Sequence, residues 1–136
     1  MNKIRVLLVD NNKKFLSTAK NFLSSDPSID VIDFSFSGEE GIEKVKLLNP
    51  DLVLMDLSMP GMGGLKATNF IKSLINPPKI IILTLYDTPE YRNEVKISGA
   101  DGFVSKSEFG TELIPLIKKI FSYHNTDDSL ISDFVR

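Results

Sequence analysis

The chain has no cysteine and a single histidine, His124, among its 136 residues. The first absence excludes disulfide frameworks and Cys-ligated zinc, and says nothing about redox compartment. The second rules out an internal phosphohistidine module in the folded part, because His124 sits without a partner in the polar stretch "SYHNTDD". Long hydrophobic runs are missing too. The N-terminal "MNKIRVLLVD" offers only four consecutive apolar residues before Asp10, too few for a signal-peptide core or a membrane span. A cytoplasmic protein without membrane contact is the expectation. An excess of one charge is also lacking. Sixteen Lys and Arg against eighteen Asp and Glu leave a net charge of -2, which gives no electrostatic footprint for nucleic acid. Direct nucleic-acid binding by this chain is therefore not expected.

What is present fits one ordinary globular domain. Apolar residues make up 42% and charged residues 25%, in a chain long enough to bury a core without disulfides or metals. Short apolar runs rich in β-branched residues recur at 4–9, 29–34, 51–55, 79–84 and 102–105. The first, third and fourth are almost continuously apolar, as strands buried on both faces of a parallel sheet must be. Helical spacing fills the gaps. Phe15, Ala19, Phe22 and Leu23 share one face, as do Ala67, Phe70, Ile71 and Leu74, and Leu113, Leu116, Ile117 and Ile120. Ser37 and Glu40 form an S-x-x-E capping box, and Thr88-Pro89 reads as the N-cap and first-turn proline of a helix ending near Ile97. Pro115 is expected in the first turn of the last helix, because deeper inside it would kink the chain. Residues 124–136 read as a C-terminal tail or the start of an interdomain linker, with Leu130, Ile131, Phe134 and Val135 able to dock or to begin another helix.

Five strands alternating with five helices imply an α/β fold with a doubly wound five-stranded parallel sheet. Ligands of such sheets bind at the carboxyl ends of the strands. Asp10 and Asn11 follow the first strand, Asp56 the third, Thr84 ends the fourth and Lys106 follows the fifth. Two carboxylates, an amide, a hydroxyl and an ammonium thus converge on one end of the sheet. Taken alone, Lys106 is a loop lysine, Thr84 a β-former and Phe103 a core aromatic. The glycines at 61, 63 and 64 are turn formers before they are phosphate cradles.

The segments "VLLVDNN", "DLVLMDLSMPGMGGL", "IIILT" and "GADGFVSK" resemble, in order, the four signature segments of receiver domains from two-component response regulators. The resemblance covers about residues 3–121, and the stretch from Leu83 to Lys106 is most similar to the NarL/FixJ (LuxR-type) group. It implies a flavodoxin-like strand order 2-1-3-4-5 and a receiver domain over residues 1–123. It also implies transfer of a phosphoryl group from a sensor histidine kinase or phosphotransfer protein onto Asp56, with Mg²⁺. Asp10, Asn11, Asp56 and the backbone carbonyl of Ser58 take the metal positions. Thr84 is the hydroxyl that bonds the phosphoryl group, Lys106 the partner lysine, and Phe103 with Thr84 the switch. The output surface is the face of the fourth helix, fifth strand and fifth helix, through which a homodimer forms on phosphorylation, and the expected outcome is control of transcription. The chain takes part in its own Mg²⁺-dependent phosphorylation and dephosphorylation without being an enzyme on another substrate.

The chemistry is self-consistent. Phosphoryl transfer needs positioning and charge stabilisation more than covalent machinery, and a carboxylate approaching an anionic phosphoryl group needs nearby positive charge. Asn11 departs from the pattern, standing where the second acid usually is and weakening the metal by one unit of charge. That substitution supports an alternative, a pseudo-receiver that binds proteins independently of phosphorylation. An aspartyl-nucleophile phosphatase of the haloacid-dehalogenase type is discounted, because Ser58 stands where its second acid is required. Leu85 and Tyr86 are bulky for the phosphate entrance, and few apolar residues in the fourth helix suit an element that must shift.

Overall fold

The computed structural model describes the backbone of residues 3–133 and the side chains of residues 3–122. Its strands are β1 (Ile4–Val9), β2 (Ile29–Ser35), β3 (Leu52–Asp56), β4 (Lys79–Thr84) and β5 (Gly102–Ser105). Its helices are α1 (Lys13–Leu23), α2 (Gly38–Leu48), α3 (Gly64–Lys72), α4 (Pro89–Ile97) and α5 (Phe109–Asp133), the last preceded by a 3₁₀ turn over Lys106–Glu108. All neighbouring strands pair in parallel, in the order β2-β1-β3-β4-β5.

The near-continuous apolar runs are explained by two cores. Alternate residues of the central strands point to opposite faces. Val6, Leu8, Leu52, Leu54, Ile81 and Leu83 pack under α1 and α5. Their neighbours Leu7, Val9, Val53, Met55, Ile80 and Ile82 pack under α2, α3 and α4. A strand serving both layers can spare no polar residue until it leaves the sheet. Asp10 and Asp56 mark where that happens.

Helix starts follow the expected caps. Asn12, Ser37 and Thr88 each accept the backbone N–H three residues on, from Phe15, Glu40 and Tyr91. The capping box is modified. Glu40 reaches back to the N–H of Phe36 at 2.7 Å, one residue before the cap.

Several expectations need correction. β3 runs one residue later than 51–55, so Asp56 is the last strand residue and inherits the strand's rigidity. On α1 the buried stripe is Leu16, Ala19 and Leu23, while Phe15 and Phe22 are half-buried and meet Phe109 edge-on at 5.4 and 5.3 Å. Phe70 is 44% exposed, its ring capped by the Lys46 ammonium, so it is not part of the core. Pro115 lies inside α5 and not in its first turn, because the helix already begins at Phe109. Its ring leaves the Thr111 carbonyl without an N–H donor. Position 124, expected to leave the last helix, stays within α5. The side chains of His124, Leu130 and Ile131, and Phe134 and Val135 altogether, lie outside the described residues.

Candidate functional site

Four strand ends converge. Asp10, Asn11 and Asn12 after β1, Asp56 and Ser58 at the end of β3, Thr84 at the end of β4 and Lys106 after β5 line one cleft of ≈ 200 Å³. Parallel pairing makes this possible, since all strands point the same way and each must turn into a helix or loop at this edge.

The cleft is floored by buried polar groups. Asp10 is 3% exposed, Asp56 6% and Thr84 1%. Lys106 Nζ donates to Asp10 Oδ2 at 2.6 Å and lies 3.1 Å from Asp56 Oδ1, so one ammonium bridges both carboxylates. The same ammonium sits 4.3 Å from the Phe15 ring centroid, a further electrostatic attraction. Asp10 Oδ1 is fixed from the other side by the N–H of Asn12 at 2.9 Å. The Asn12 side chain caps α1, so the helix start and the orientation of Asp10 are set together.

Two carboxylates against one lysine leave an excess negative charge. Burial, and secondly the charge of Asp10, push the Asp56 carboxyl up to about 6, against the opposing pull of Lys106 and the Leu57 N–H. Thr84 Oγ1 accepts the Tyr86 N–H at 3.0 Å, which aims the hydroxyl and leaves its proton to donate. Leu85 and Tyr86 line the cleft and are 68% and 54% exposed.

The loop after β3 explains two of its glycines. Gly61 has φ of 74°, which suits a residue without Cβ. Gly64 lets α3 start against the strand, since a Cβ there would lie 2.0 Å from the Asp56 carbonyl oxygen. The Gly64 N–H donates to the Leu57 carbonyl at 3.1 Å. Neither glycine lines the cleft.

The structure thus brings Asp10, Asn11, Asp56, Ser58, Thr84 and Lys106 together and leaves Phe103 out. Phe103 lies half-buried on β5, paired with Ile82 and covered by the Arg92 guanidinium at 4.8 Å. Sequence reasoning missed Asn12 and Phe15. The cap signal of an asparagine before "KKFL" could have found the first. Nothing in the sequence places the Phe15 ring under Lys106. A larger cleft of ≈ 460 Å³ opens between the C-terminal ends of α2 and α3, but only Lys46 there is charged, and it is remote from this chemistry.

Asp10, Asp56, Asn11 and Ser58 bring oxygen-bearing groups to the cleft, and its two carboxylates outnumber the one lysine. That suits a hard divalent cation. Among the described residues no group of three or more Asp, Glu, His or Cys side chains could hold a metal, so two carboxylates and an amide are what the site offers. No helix among the described residues is long and apolar enough to cross a membrane.

Comparison with known proteins agrees with this geometry. The response regulator receiver domain matches residues 6–118. Transcriptional regulatory protein LiaR of Bacillus subtilis (strain 168) is 36% identical over 115 residues, covering 85% of this chain and 54% of LiaR. Transcriptional regulatory protein DegU of Brevibacillus brevis is 30% identical over 119 residues, covering 88% of this chain and 50% of DegU. The chain therefore spans about half the length of these curated relatives. A crystal structure of a LuxR-family two-component response regulator from Aurantimonas sp. SI85-9A1 superposes with a TM-score of 0.84 at 27% identity, covering 89% of this chain and 86% of that one. The sheet order, the cleft at the strand ends and these matches lead to one conclusion: the chain belongs to the response regulator receiver domain family.

Proposed function

We propose that Asp56 is the phosphoacceptor of this receiver domain. It takes a phosphoryl group from a phosphohistidine of a sensor histidine kinase or phosphotransfer protein in the cytoplasm. The observation that carries the reading is the buried Asp56 carboxylate, 3.1 Å from a lysine that also holds Asp10, with the Thr84 hydroxyl in the same cleft. The Asp56 carboxylate oxygen forms a bond to phosphorus. The phosphorus–nitrogen bond of the donor breaks, and its electron pair returns to the imidazole. Asp56 acts as nucleophile in its ionised form, which positive charge beside it favours. Lys106 balances charge on the acceptor carboxylate, and Thr84 donates its hydroxyl proton to a phosphoryl oxygen.

Asp10, Asp56, Asn11 and the Ser58 backbone carbonyl would hold Mg²⁺. Bound there, it supplies positive charge against the approaching phosphoryl oxygens. Asn11 weakens that site but leaves every other group in place, and no observation favours a phosphorylation-independent role over this one.

Residues 1–123 form the receiver domain, and 124–136 are a C-terminal tail or the start of an interdomain linker that continues α5 as far as Asp133, in a protein that controls transcription. This chain itself does not touch nucleic acid. Phosphorylation switches the face of α4, β5 and α5 through Thr84 and Phe103, and that face then supports a homodimer. Beryllofluoride, a phosphoryl mimic, tests the reading when added with Mg²⁺. It is expected to raise the unfolding temperature of the wild type and to leave Asp56→Asn unchanged. An equal rise in both proteins overturns it.

A further inference from the structure

Helix α4 is the least anchored of the helices with described side chains. Val95 is the only apolar side chain it buries, and Ile97 is 72% exposed. In its first turn only Tyr91 packs against the core, and it is half-buried, so hydrophobic burial fixes that turn weakly. Polar contacts from one residue do more. Arg92 Nε donates to Asp87 Oδ1 at 2.6 Å and Nη2 to Asp87 Oδ2 at 2.9 Å, a two-pronged pairing of guanidinium and carboxylate. The same guanidinium lies 4.8 Å from the centroid of the Phe103 ring on β5. One side chain thus ties three elements, namely the loop leaving Thr84, helix α4 and strand β5. Next to it in α4, Tyr91 lines an open cleft of ≈ 300 Å³ with Leu57, Leu65 and Tyr86. The first turn of α4 therefore has room to move once released.

We infer that the Asp87–Arg92–Phe103 stack is a latch that holds α4 and covers Phe103 in the resting domain, and that it must open for the domain to respond at Asp56. The second half rests on the reading of Asp56 as phosphoacceptor. The energetics suit a latch. The pair is exposed, 60% for the Arg92 side chain and 37% for Asp87, so it is weak enough to break. The helix it holds is weakly buried, so even a weak contact decides its position. Lysine could not replace Arg92, because it has neither the fork that grips both carboxylate oxygens nor a plane to lie on the ring.

Hydrogen–deuterium exchange of the full chain tests the anchoring. Arg92→Ala and Asp87→Asn are each expected to speed exchange of the amides of residues 89–97 by about two- to fivefold, the worth of an exposed ion pair. Exchange in β3 stays unchanged. Arg92→Lys does not restore protection, and 0.5 M salt moves the wild type toward the variants. Unchanged exchange of α4 in Arg92→Ala, or full protection in Arg92→Lys, overturns the latch. A beryllofluoride titration with Mg²⁺ tests the gating. The midpoint of Arg92→Ala is expected below that of the wild type by a similar factor. Equal midpoints in proteins that all respond overturn the latch and leave the Asp56 reading intact. No response in any of them overturns the Asp56 reading, and the gating role with it.

Discussion

Replacing Asp56 by asparagine should make the protein more stable in the absence of divalent cations. In the folded protein the Asp56 carboxyl titrates at about 6 instead of its ordinary 3.8, because burial and the charge of Asp10 outweigh the attraction of Lys106. A raised carboxyl pKa means that the folded state holds the proton more tightly than the unfolded chain. The stabilisation this gives is fully present below the unfolded value and is lost as pH rises through the folded one. At pH 7.5 the ionised carboxylate therefore costs the fold up to ~3 kcal/mol, from a shift of about two units at 1.36 kcal/mol each. Asparagine removes that penalty and keeps an oxygen for the Lys106 ammonium, though it gives up the ion pair. A net gain of ~1–3 kcal/mol is expected, or about 4 °C in melting temperature for each kcal/mol. Urea unfolding of both proteins with a chelator at pH 7.5 and pH 4.5 measures it. The gap should be widest at pH 7.5 and shrink at pH 4.5. Other titrating groups such as Asp26 are common to both proteins and cancel in the difference. An asparagine variant no more stable than the wild type at pH 7.5, or a gap independent of pH, would refute the reasoning.

Three further perturbations follow from the geometry. Asn11→Asp should bind Mg²⁺ more tightly by ~1 kcal/mol or more, about tenfold at low salt, while lowering the stability of the metal-free protein. Unfolding temperatures across a Mg²⁺ titration read both halves, and equal affinities would mean that Asn11 does not reach the ion. Gly64→Ala should cost ~2 kcal/mol or more in urea unfolding, since its Cβ would lie 2.0 Å from the Asp56 carbonyl oxygen and the rigid strand cannot yield. The clash should also lower the rate of phosphorylation by a small donor. Pro115→Ala should stabilise the protein by ~1–2 kcal/mol, as a restored N–H to the Thr111 carbonyl outweighs the greater freedom of the unfolded chain. A loss of stability there would mean that α5 is shaped around its proline.

Much of this molecule was legible in the chain. The runs "VLLV", "LVLM" and "IIIL" announced strands covered on both faces because no polar residue interrupts them. That Asp10, Asp56 and Thr84 at their ends share one edge followed from parallel topology. The caps Asn12, Ser37 and Thr88 behave as short polar side chains do at helix starts. What escaped the sequence depends on contacts across elements. A 3.6-residue period fits Phe15 and Phe22 as well as Leu16; packing with the strand residues buries Leu16, Ala19 and Leu23, and Phe109 meets the two rings beside them. Phe70 obeys the period of α3 and is still 44% exposed, with the Lys46 ammonium of α2 over its ring. The place of Pro115 is not legible because α5 starts directly after the turn at Lys106–Glu108, which has no strong local signal. Among the site residues, Lys106 could be placed near the carboxylates from topology alone. That it grips both of them, over the Phe15 ring, needs the distances.

The central claim is that Asp56 receives the phosphoryl group. Its most direct test is intact mass spectrometry after incubation with acetyl phosphate and Mg²⁺, with Asp56→Asn alongside. The wild type should gain one phosphoryl adduct, located to residue 56 on peptide mapping, and the variant none. An adduct of equal yield in Asp56→Asn would contradict the account.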